Sequence, residues 1–288
     1  MPFFEIITKD LNYIGLWIRN FLKNNFKSKT IFAHPHYPSR GSTIYKISKE
    51  LGYNITNKQR SKPEFAIFWE YTTFRKEFRL LDEISKDKYV INLHSRDISK
   101  KYVDKIHQEV FGYSTMVDPL TYNGKIVKKS DINGTHNGEI VEGPVEFIEE
   151  DYIYQILIDN TIPGDSVMDI RVPFIGEALN FVYIKTRTIS DRFKNPTGSK
   201  VEAISDHLSD NEIKQLNQYC KILKLDYGEL DVLRDKKDGR IYVIDVNNTP
   251  QGPPSKTSKK DAIYAISEMT EAIRKLTSAN KIHKKTDQ

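Results

Sequence analysis

Two short apolar segments near the C-terminal end carry acidic and amide side chains in an arrangement that few folds tolerate. Tyr227-Gly228-Glu229-Leu230-Asp231-Val232-Leu233 and Tyr242-Val243-Ile244-Asp245-Val246-Asn247 have the composition of strands. The charged run 235–239 between them reads as a hairpin turn. Side chains alternate across a strand, so Asp245 and Asn247 share a face, and Asp231 on the partner strand can meet them. Adjacent carboxylates in an apolar setting repel one another and lose hydration, and a cation relieves both penalties. Hard oxygen ligands of this kind suit magnesium bridging nucleotide phosphates. Aspartates at hairpin ends also serve turn chemistry, but Asp245 and Asn247 stand away from the turn.

The rest of the chain reads as alternating strands and helices, followed by a strand-rich region. A helix is expected over 9–26, from Leu11, Ile14, Ile18, Phe21 and Leu22 at helical spacing. Then come a strand at 30–33, a helix at 43–51 with Gly52 as its C-cap, a strand at 64–70, a helix at 74–85 and a strand at 89–93. This order predicts an α/β lobe with a mostly parallel sheet. A helix over 99–110 ends at Gly112, and strands follow at 125–129, 139–145 and 152–158. Two long strand-rich stretches, 167–175 and 178–187, lead to a helix–strand–strand unit over 209–246. The last helix is expected over 261–276, and residues 280–288 read as disordered.

Composition narrows the function classes. Among 288 residues, 38% are hydrophobic, enough for a substantial core, and no apolar run approaches the roughly 20 residues that span a bilayer. Cys220 is the single cysteine, which excludes an intrachain disulfide framework and a cysteine-based zinc cluster. With no basic-then-apolar leader, a cytoplasmic location is expected and no membrane association. The net charge of +5 is concentrated partly in the basic segment after residue 256, which reads as a solvated helix and frayed end. No aromatic–basic recognition motif accompanies it, so no nucleic-acid partner is expected. A homodimer is compatible with the sequence.

Several weaker signals lie upstream of the hairpin. Lys105 sits on the helix 99–110, and Lys128 closes the strand Lys125-Ile126-Val127-Lys128. The loop Asp131-Ile132-Asn133-Gly134-Thr135-His136-Asn137-Gly138 follows, with glycines that let backbone N–H groups approach phosphate oxygens. Lys128 and Lys129 fall on opposite faces of one strand, so only one of them can reach a nucleotide. The loop 34–42 leads into the helix N-terminus at Thr43, where N–H groups favour an anion. Arg40, Ser42 and Thr43 are therefore candidate contacts to an acidic substrate, with an ordinary N-cap as the alternative.

The order of these pieces resembles the ATP-grasp superfamily over about residues 97–252, in particular its glutamate-adding and glutathione-synthetase types. Asp104-Lys105 resembles the first phosphate lysine and Ile126-Val127-Lys128 the second. Tyr154-Gln155-Ile156-Leu157-Ile158-Asp159 resembles the hinge whose backbone meets adenine, which implies Gln155, Ile156, Ile158 and Asp159 as nucleotide contacts. Asp169-Ile170-Arg171, Lys185-Thr186-Arg187 and Arg192-Phe193-Lys194-Asn195 resemble the segments facing the transferring phosphoryl group. That implies charge neutralisation by Arg171 and Arg187, and orientation by Asn195. Asp231, Asp245 and Asn247 fall on the metal ligands. The sequence departs from the pattern at Asp245, where Glu is usual, at Gln155, where the hinge usually has Glu, and in a loop poorer in glycine and serine.

The resemblance implies an α/β and α+β architecture, the ATP-grasp fold. Its parts would be an N-terminal α/β (pre-ATP-grasp) lobe over 1–97, a small β-rich lid lobe over 98–158, a mixed C-terminal lobe over 159–278 bearing the metal site, and a disordered tail over 279–288. The implied activity is an ATP-dependent carboxylate–amine ligase working through an acyl phosphate, with magnesium, or manganese in its place, and small-molecule acid and amine substrates. A kinase of the same fold that phosphorylates a hydroxyl, and a non-catalytic nucleotide-binding protein, are the alternatives. The kinase would need a general base beside the γ-phosphate.

Overall fold

A computed structural model describes residues 14–22, 26, 29–58, 62–135 and 137–286. Helix α1 (14–22) lies within the expected 9–26 helix, of which 9–13 and 23–25 fall outside the described residues. Next come β1 (Thr30–Pro35), α2 (Thr43–Leu51), β2 (Asn54–Thr56), β3 (Phe65–Trp69), α3 (Arg79–Ser85) and β4 (Val90–Ile91). The four strands make a parallel sheet of order β2-β1-β3-β4. Helix α4 (Lys100–Phe111) leads to an antiparallel sheet of β5 (Gly124–Ser130), β6 (Glu139–Gly143) and β7 (Tyr152–Ile156), with β5 central. The remaining strands are β8 (Thr161–Ile162), β9 (Ser166–Ile175), β10 (Glu177–Ala178), β11 (Phe181–Thr188) and β12 (Gly198–Ala203), then, after α5 (Asp210–Ile222), β13 (Tyr227–Arg234) and β14 (Ile241–Asn247). Helix α6 (Lys259–Thr286) closes the chain. The main path of the seven-stranded sheet runs β12-β11-β9-β13-β14, with β8 and β10 pairing β9, so β14 is an edge strand.

Local chemistry accounts for most helix ends. Ser42 and Ser99 cap α2 and α4 by accepting from the N–H groups of Tyr45 and Tyr102, and Gly52 and Gly112 end those helices in the left-handed conformation. A reciprocal capping box between Ser209 and Glu212 starts α5. The helix expected over 74–85 begins only at Arg79. Before it the chain is extended, because Phe74 bridges Asp97 and the buried Arg75 donates to the carbonyls of Glu70, Ser95 and Asn248. Strands β2 and β12 were not expected: Asn54-Ile55-Thr56 is short and Gly198-Ser199-Lys200 polar, and each forms by pairing a neighbour already in place. Helix α6 runs to Thr286 rather than ending near 276, so most of the expected disordered tail is helical; no glycine or proline interrupts it.

Two cores hold the main lobes. Alternate residues Ile170, Val172 and Phe174 of β9, Val182 and Ile184 of β11, and Leu230 and Val232 of β13 bury against α4 and α5. Each fully buried aliphatic side chain of this kind contributes about 1.5–3 kcal/mol. Helix α4 presents Val103 and Ile106 to this core, so it belongs with the large sheet although a boundary at residue 98 would group it with the small one. The second core joins Ile31, Phe65 and Trp69 of the parallel sheet to Phe181, Tyr183, Tyr227 and Ile273. The N-terminal and C-terminal lobes therefore share apolar packing rather than meeting through a linker.

Candidate functional site

The opposite face of the large sheet is polar. Positions in phase with Asp169 and Arg171 on β9 carry Tyr183, Lys185 and Arg187 on β11 and Glu229 and Asp231 on β13. Register pairs Lys185 with Asp169, Arg171 with Asp231, and Asp231 in turn with Asp245 of β14. Strict alternation along β14 would send Asp245 into the core, since Ile241 and Val243 both point there. A β-bulge removes that conflict. Register slips between Asp231/Asp245 and Val232/Val243, leaving Ile244 as the extra residue, and Asp245 turns onto the cleft face.

The two aspartates meet different surroundings. Asp231 accepts from Arg171 Nε at 2.8 Å and Nη2 at 3.0 Å, and from Lys185 Nζ at 2.8 Å. Burial acts to raise its pKa, but these two cations outweigh burial and hold the carboxyl well below its ordinary value. Burial pushes Asp245 up; Lys100 opposes and Asp231 reinforces the shift, and Asp245 Oδ1 is buried without a hydrogen-bond partner. Asn247 Oδ1 accepts from the N–H of Thr249 at 3.0 Å, and Asn247 pairs Glu229 across the strands. Arg187 is buried against Asp169 and also donates to the carbonyls of Arg192 and Lys194, which shapes the loop bearing Asn195.

The cationic wall is built from residues other than those first expected. Lys105 lies exposed on the outer side of α4. Lys100, one helical face away and in phase with Val103 and Ile106, lines the cleft and donates to Asn133 Oδ1 at 2.7 Å. In β5 it is Lys129 that faces the cleft. Lys128 points to the other side, paired with Glu139 and Glu149 and covered by the Tyr152 ring. Burial pushes the Lys129 ammonium down to about 8, against the attraction of Asp245. Its Nζ donates at 3.3 Å to the carbonyl of Ile244, the bulge residue. Asn133 and Tyr113 likewise donate to the β14 carbonyls of Val246 and Ile241, at 3.2 and 2.7 Å.

These groups enclose a cleft of about 260 Å³. Its floor is Asp231, Asp245, Arg171 and Lys185, and its walls are Lys100, Lys129 and the backbone strip 155–158. Gly134, Thr135, Asn137 and Gly138 line it as well, together with Arg187, Arg192, Phe193 and Asn195, and Gly138 packs against the Phe193 ring. Gln155 is fixed through its amide to Thr115, whose N–H and hydroxyl both donate to the buried Asp104.

Comparison of this architecture with solved structures returns matches over most of the chain. D-alanine–D-alanine ligase from Bacillus anthracis, complexed with ATP, is similar over 89% of this chain and 98% of its own, with TM-score 0.52 and 17% identity. The ATP-grasp ligase PsnB, complexed with precursor peptide and AMPPNP, is similar over 87% of this chain and 97% of its own, with TM-score 0.57 and 12% identity. This chain has the ATP-grasp fold. No protein-family sequence model matches it, and no curated protein does so at the level of sequence.

Within the ATP-grasp frame, the sequence-derived residues divide into groups. Arg171, Arg187, Asn195, Gln155, Ile156, Ile158, Asp231 and Asp245 all line one cleft. Lys105, Lys128, Asp159 and Asn247 are not among its lining residues. Asp159 instead accepts from Thr161 at the turn into β8. Arg40, Ser42 and Thr43 lie apart from the cleft, where their loop packs on the segment after β14: Thr43 N–H donates to Pro250 O at 3.1 Å, and Ser42 bridges Gln251. Lys100, Lys129, Lys185 and Glu229 complete the polar face, and only strand or helix phase could have found them.

The oxygen set fits a hard cation in part. Asp245 offers a buried oxygen with no partner, opposite Asp231 in register. Asp231 is satisfied by Arg171 and Lys185, and Asn247 by a backbone N–H, so both would share their oxygens with a metal. Among the described residues no group of three or more His, Cys, Asp or Glu side chains is arranged as a metal cage by itself.

Proposed function

We propose that the protein is a magnesium-dependent ATP-grasp ligase that joins a carboxylate to an amine through an acyl phosphate. The observation that carries this reading is the convergence of Lys100, Lys129, Lys185, Arg171 and Arg187 on the cleft that Asp231 and Asp245 floor. A nucleotide triphosphate is a ligand whose charge such a wall complements. The backbone strip 155–158 offers hydrogen-bonding edges to adenine, and Gly134, with open space where a side chain would stand, allows close approach to phosphate.

Lys100 and Lys129 hold the α- and β-phosphates in this reading, in place of Lys105 and Lys128. Magnesium, carried by Asp231, Asp245 and Asn247, would supply charge neutralisation on the phosphates when bound. Arg171 and Arg187 face the transferring phosphoryl group, and Asn195 orients it. The γ-phosphoryl passes to a carboxylate oxygen as its bond to ADP breaks. The amine nitrogen then bonds the acyl carbon, phosphate departs, and the amine proton leaves to solvent. Positioning and electrostatic stabilisation supply the rate enhancement.

The test is an incubation with magnesium, ATP and pooled amino acids, sugar acids and amines, following ADP and phosphate. Free phosphate released only when both an acid and an amine are present is the expected result. ADP formed together with a stable phosphate ester of an alcohol would establish the kinase reading instead. Failure of the protein to bind ATP in a calorimetric titration would overturn both.

A further inference from the structure

Three side chains from separate parts of the chain form a hydrogen-bonded relay that ends in the cleft. Asp104 of α4 is buried, and its Oδ1 accepts both the backbone N–H and the hydroxyl of Thr115, each at 2.6 Å. Gln155 of β7 donates through Nε2 to Thr115 Oγ1 at 2.5 Å. The direction of every bond in this relay follows from what each atom can do. A carboxylate oxygen has no hydrogen to give, so the Thr115 hydroxyl donates its single hydrogen to Asp104. The Thr115 oxygen then has only lone pairs left, which an amide nitrogen can meet and an amide oxygen cannot. The network therefore assigns the orientation of the Gln155 carboxamide, with Nε2 toward Thr115 and Oε1 away from it.

The far end of the same amide belongs to the ligand space. Gln155 pairs Val127 across β7 and β5, and Val127 and Lys129 line the cleft, so the Gln155 side chain lies on the cleft face of the small sheet. Its Oε1 accepts from no described residue and, unlike Asp245 Oδ1, is not one of the fully buried atoms without a partner. Val127, Ile158, Leu233 and Ile244 give the cleft apolar lining that suits the faces of a flat base. A carboxamide without this relay could turn over and offer either its oxygen or its N–H groups. The relay also accounts for the departure from the superfamily pattern at this position. A glutamate at 155 would set an acceptor against the Thr115 oxygen, whose one hydrogen is already given to Asp104, whereas glutamine supplies the N–H required.

We propose that Asp104 and Thr115 are positioning residues that lock the Gln155 carboxamide with Oε1 toward the cleft, so that the site prefers a purine with a 6-amino donor, adenine, over one with a 6-oxo acceptor, hypoxanthine. The inference rests on the nucleotide reading of the cleft, and it concerns binding alone, so it is measurable without turnover. The full-length protein with magnesium is titrated calorimetrically with ADP, with inosine diphosphate and with purine riboside diphosphate, which has no 6-substituent. The same titrations are made on Thr115→Val, Thr115→Ala and Asp104→Asn.

The wild-type protein should bind ADP about tenfold or more tightly than inosine diphosphate, with purine riboside diphosphate between them. Thr115→Val removes the hydroxyl, frees the amide to turn its N–H groups to a 6-oxo group, and should bring the ratio to about threefold or less. Inosine diphosphate should bind that variant as well as the wild type or better, whereas a general loss of structure would weaken both nucleotides alike and leave the ratio in place. Thr115→Ala carries the test if Thr115→Val does not fold. Asp104→Asn keeps an acceptor oxygen for Thr115 and should hold the ratio within about twofold of the wild type. A wild-type ratio below about threefold, a wild-type ratio retained in the folded Thr115 variants, or its collapse in Asp104→Asn overturns the relay while ADP binding leaves the nucleotide reading standing. Failure of the wild type to bind ADP at all overturns the nucleotide reading and the relay with it.

Discussion

Asp231 and Asp245 sit opposite each other in register, yet neutralising them should move stability in opposite directions. Asp231 accepts from Arg171 twice and from Lys185 once, and its side chain is 18% exposed. Removing one partner of a buried ion pair costs about 3–5 kcal/mol, and because asparagine keeps one acceptor oxygen, Asp231→Asn should cost about 3 kcal/mol. Asp245 has a carboxyl raised above its ordinary value, chiefly by burial, and an unpartnered oxygen. The unfolded chain releases that proton more readily than the folded one, so stability is lost as pH rises from the unfolded pKa through the folded one. Asp245→Asn removes the penalty and should leave stability at neutral pH unchanged or up to about 1 kcal/mol higher, an advantage that vanishes below about pH 4. Urea denaturation of both variants at pH 7, and of Asp245→Asn at lower pH, measures this. On the proposed ligase reading, both variants should also lose magnesium-dependent turnover of ATP. A loss of more than about 2 kcal/mol in Asp245→Asn, or none in Asp231→Asn, would refute the electrostatic account of the floor.

Other outcomes follow from side-chain placement. Lys129→Met should weaken magnesium–ATP about tenfold or more by calorimetry, whereas Lys105→Ala, on the exposed side of α4, should leave it within about twofold. Asp104→Ala removes the acceptor for Thr115 N–H, Thr115 Oγ1 and Ser114 Oγ, all in or near the interior. It should cost about 2–4 kcal/mol in urea denaturation, and retained stability would show that Asp104 does not tie α4 to the small sheet.

The fold was legible where periodicity and caps speak together. Gly52 and Gly112 closed their helices, the 235–239 turn joined β13 to β14, and the alternation of β1 and β3 with helices announced the parallel sheet. Legibility failed where tertiary partners decide. Strand β12 is held by β11 and has no apolar signal of its own, and Arg75 prevents a helical start before Arg79 by reaching three separated carbonyls. Within the candidate site, phase was the missing information. Lys128 and Lys129 are equivalent by type, and only the face that β5 turns to the cleft separates them. Lys100 shares the buried side of α4 with Val103, Ile106 and His107, a pattern visible in the sequence, while Lys105 does not. Asp245 reaches the cleft face for a reason the sequence conceals. Simple alternation with Val243 would bury it in the core, and the extra residue Ile244 reverses its direction.

The edge position of β14 has a consequence for solubility. An edge strand offers unpaired carbonyls that can template pairing with another chain. Here Tyr113, Lys129 and Asn133 donate side-chain hydrogen bonds to the carbonyls of Ile241, Ile244 and Val246, so the exposed margin is occupied without any further strand. The contacts that hold the small sheet against the cleft thus also shield the large sheet from self-association, and a substitution that loosens them would surface as aggregation as well as lost nucleotide binding.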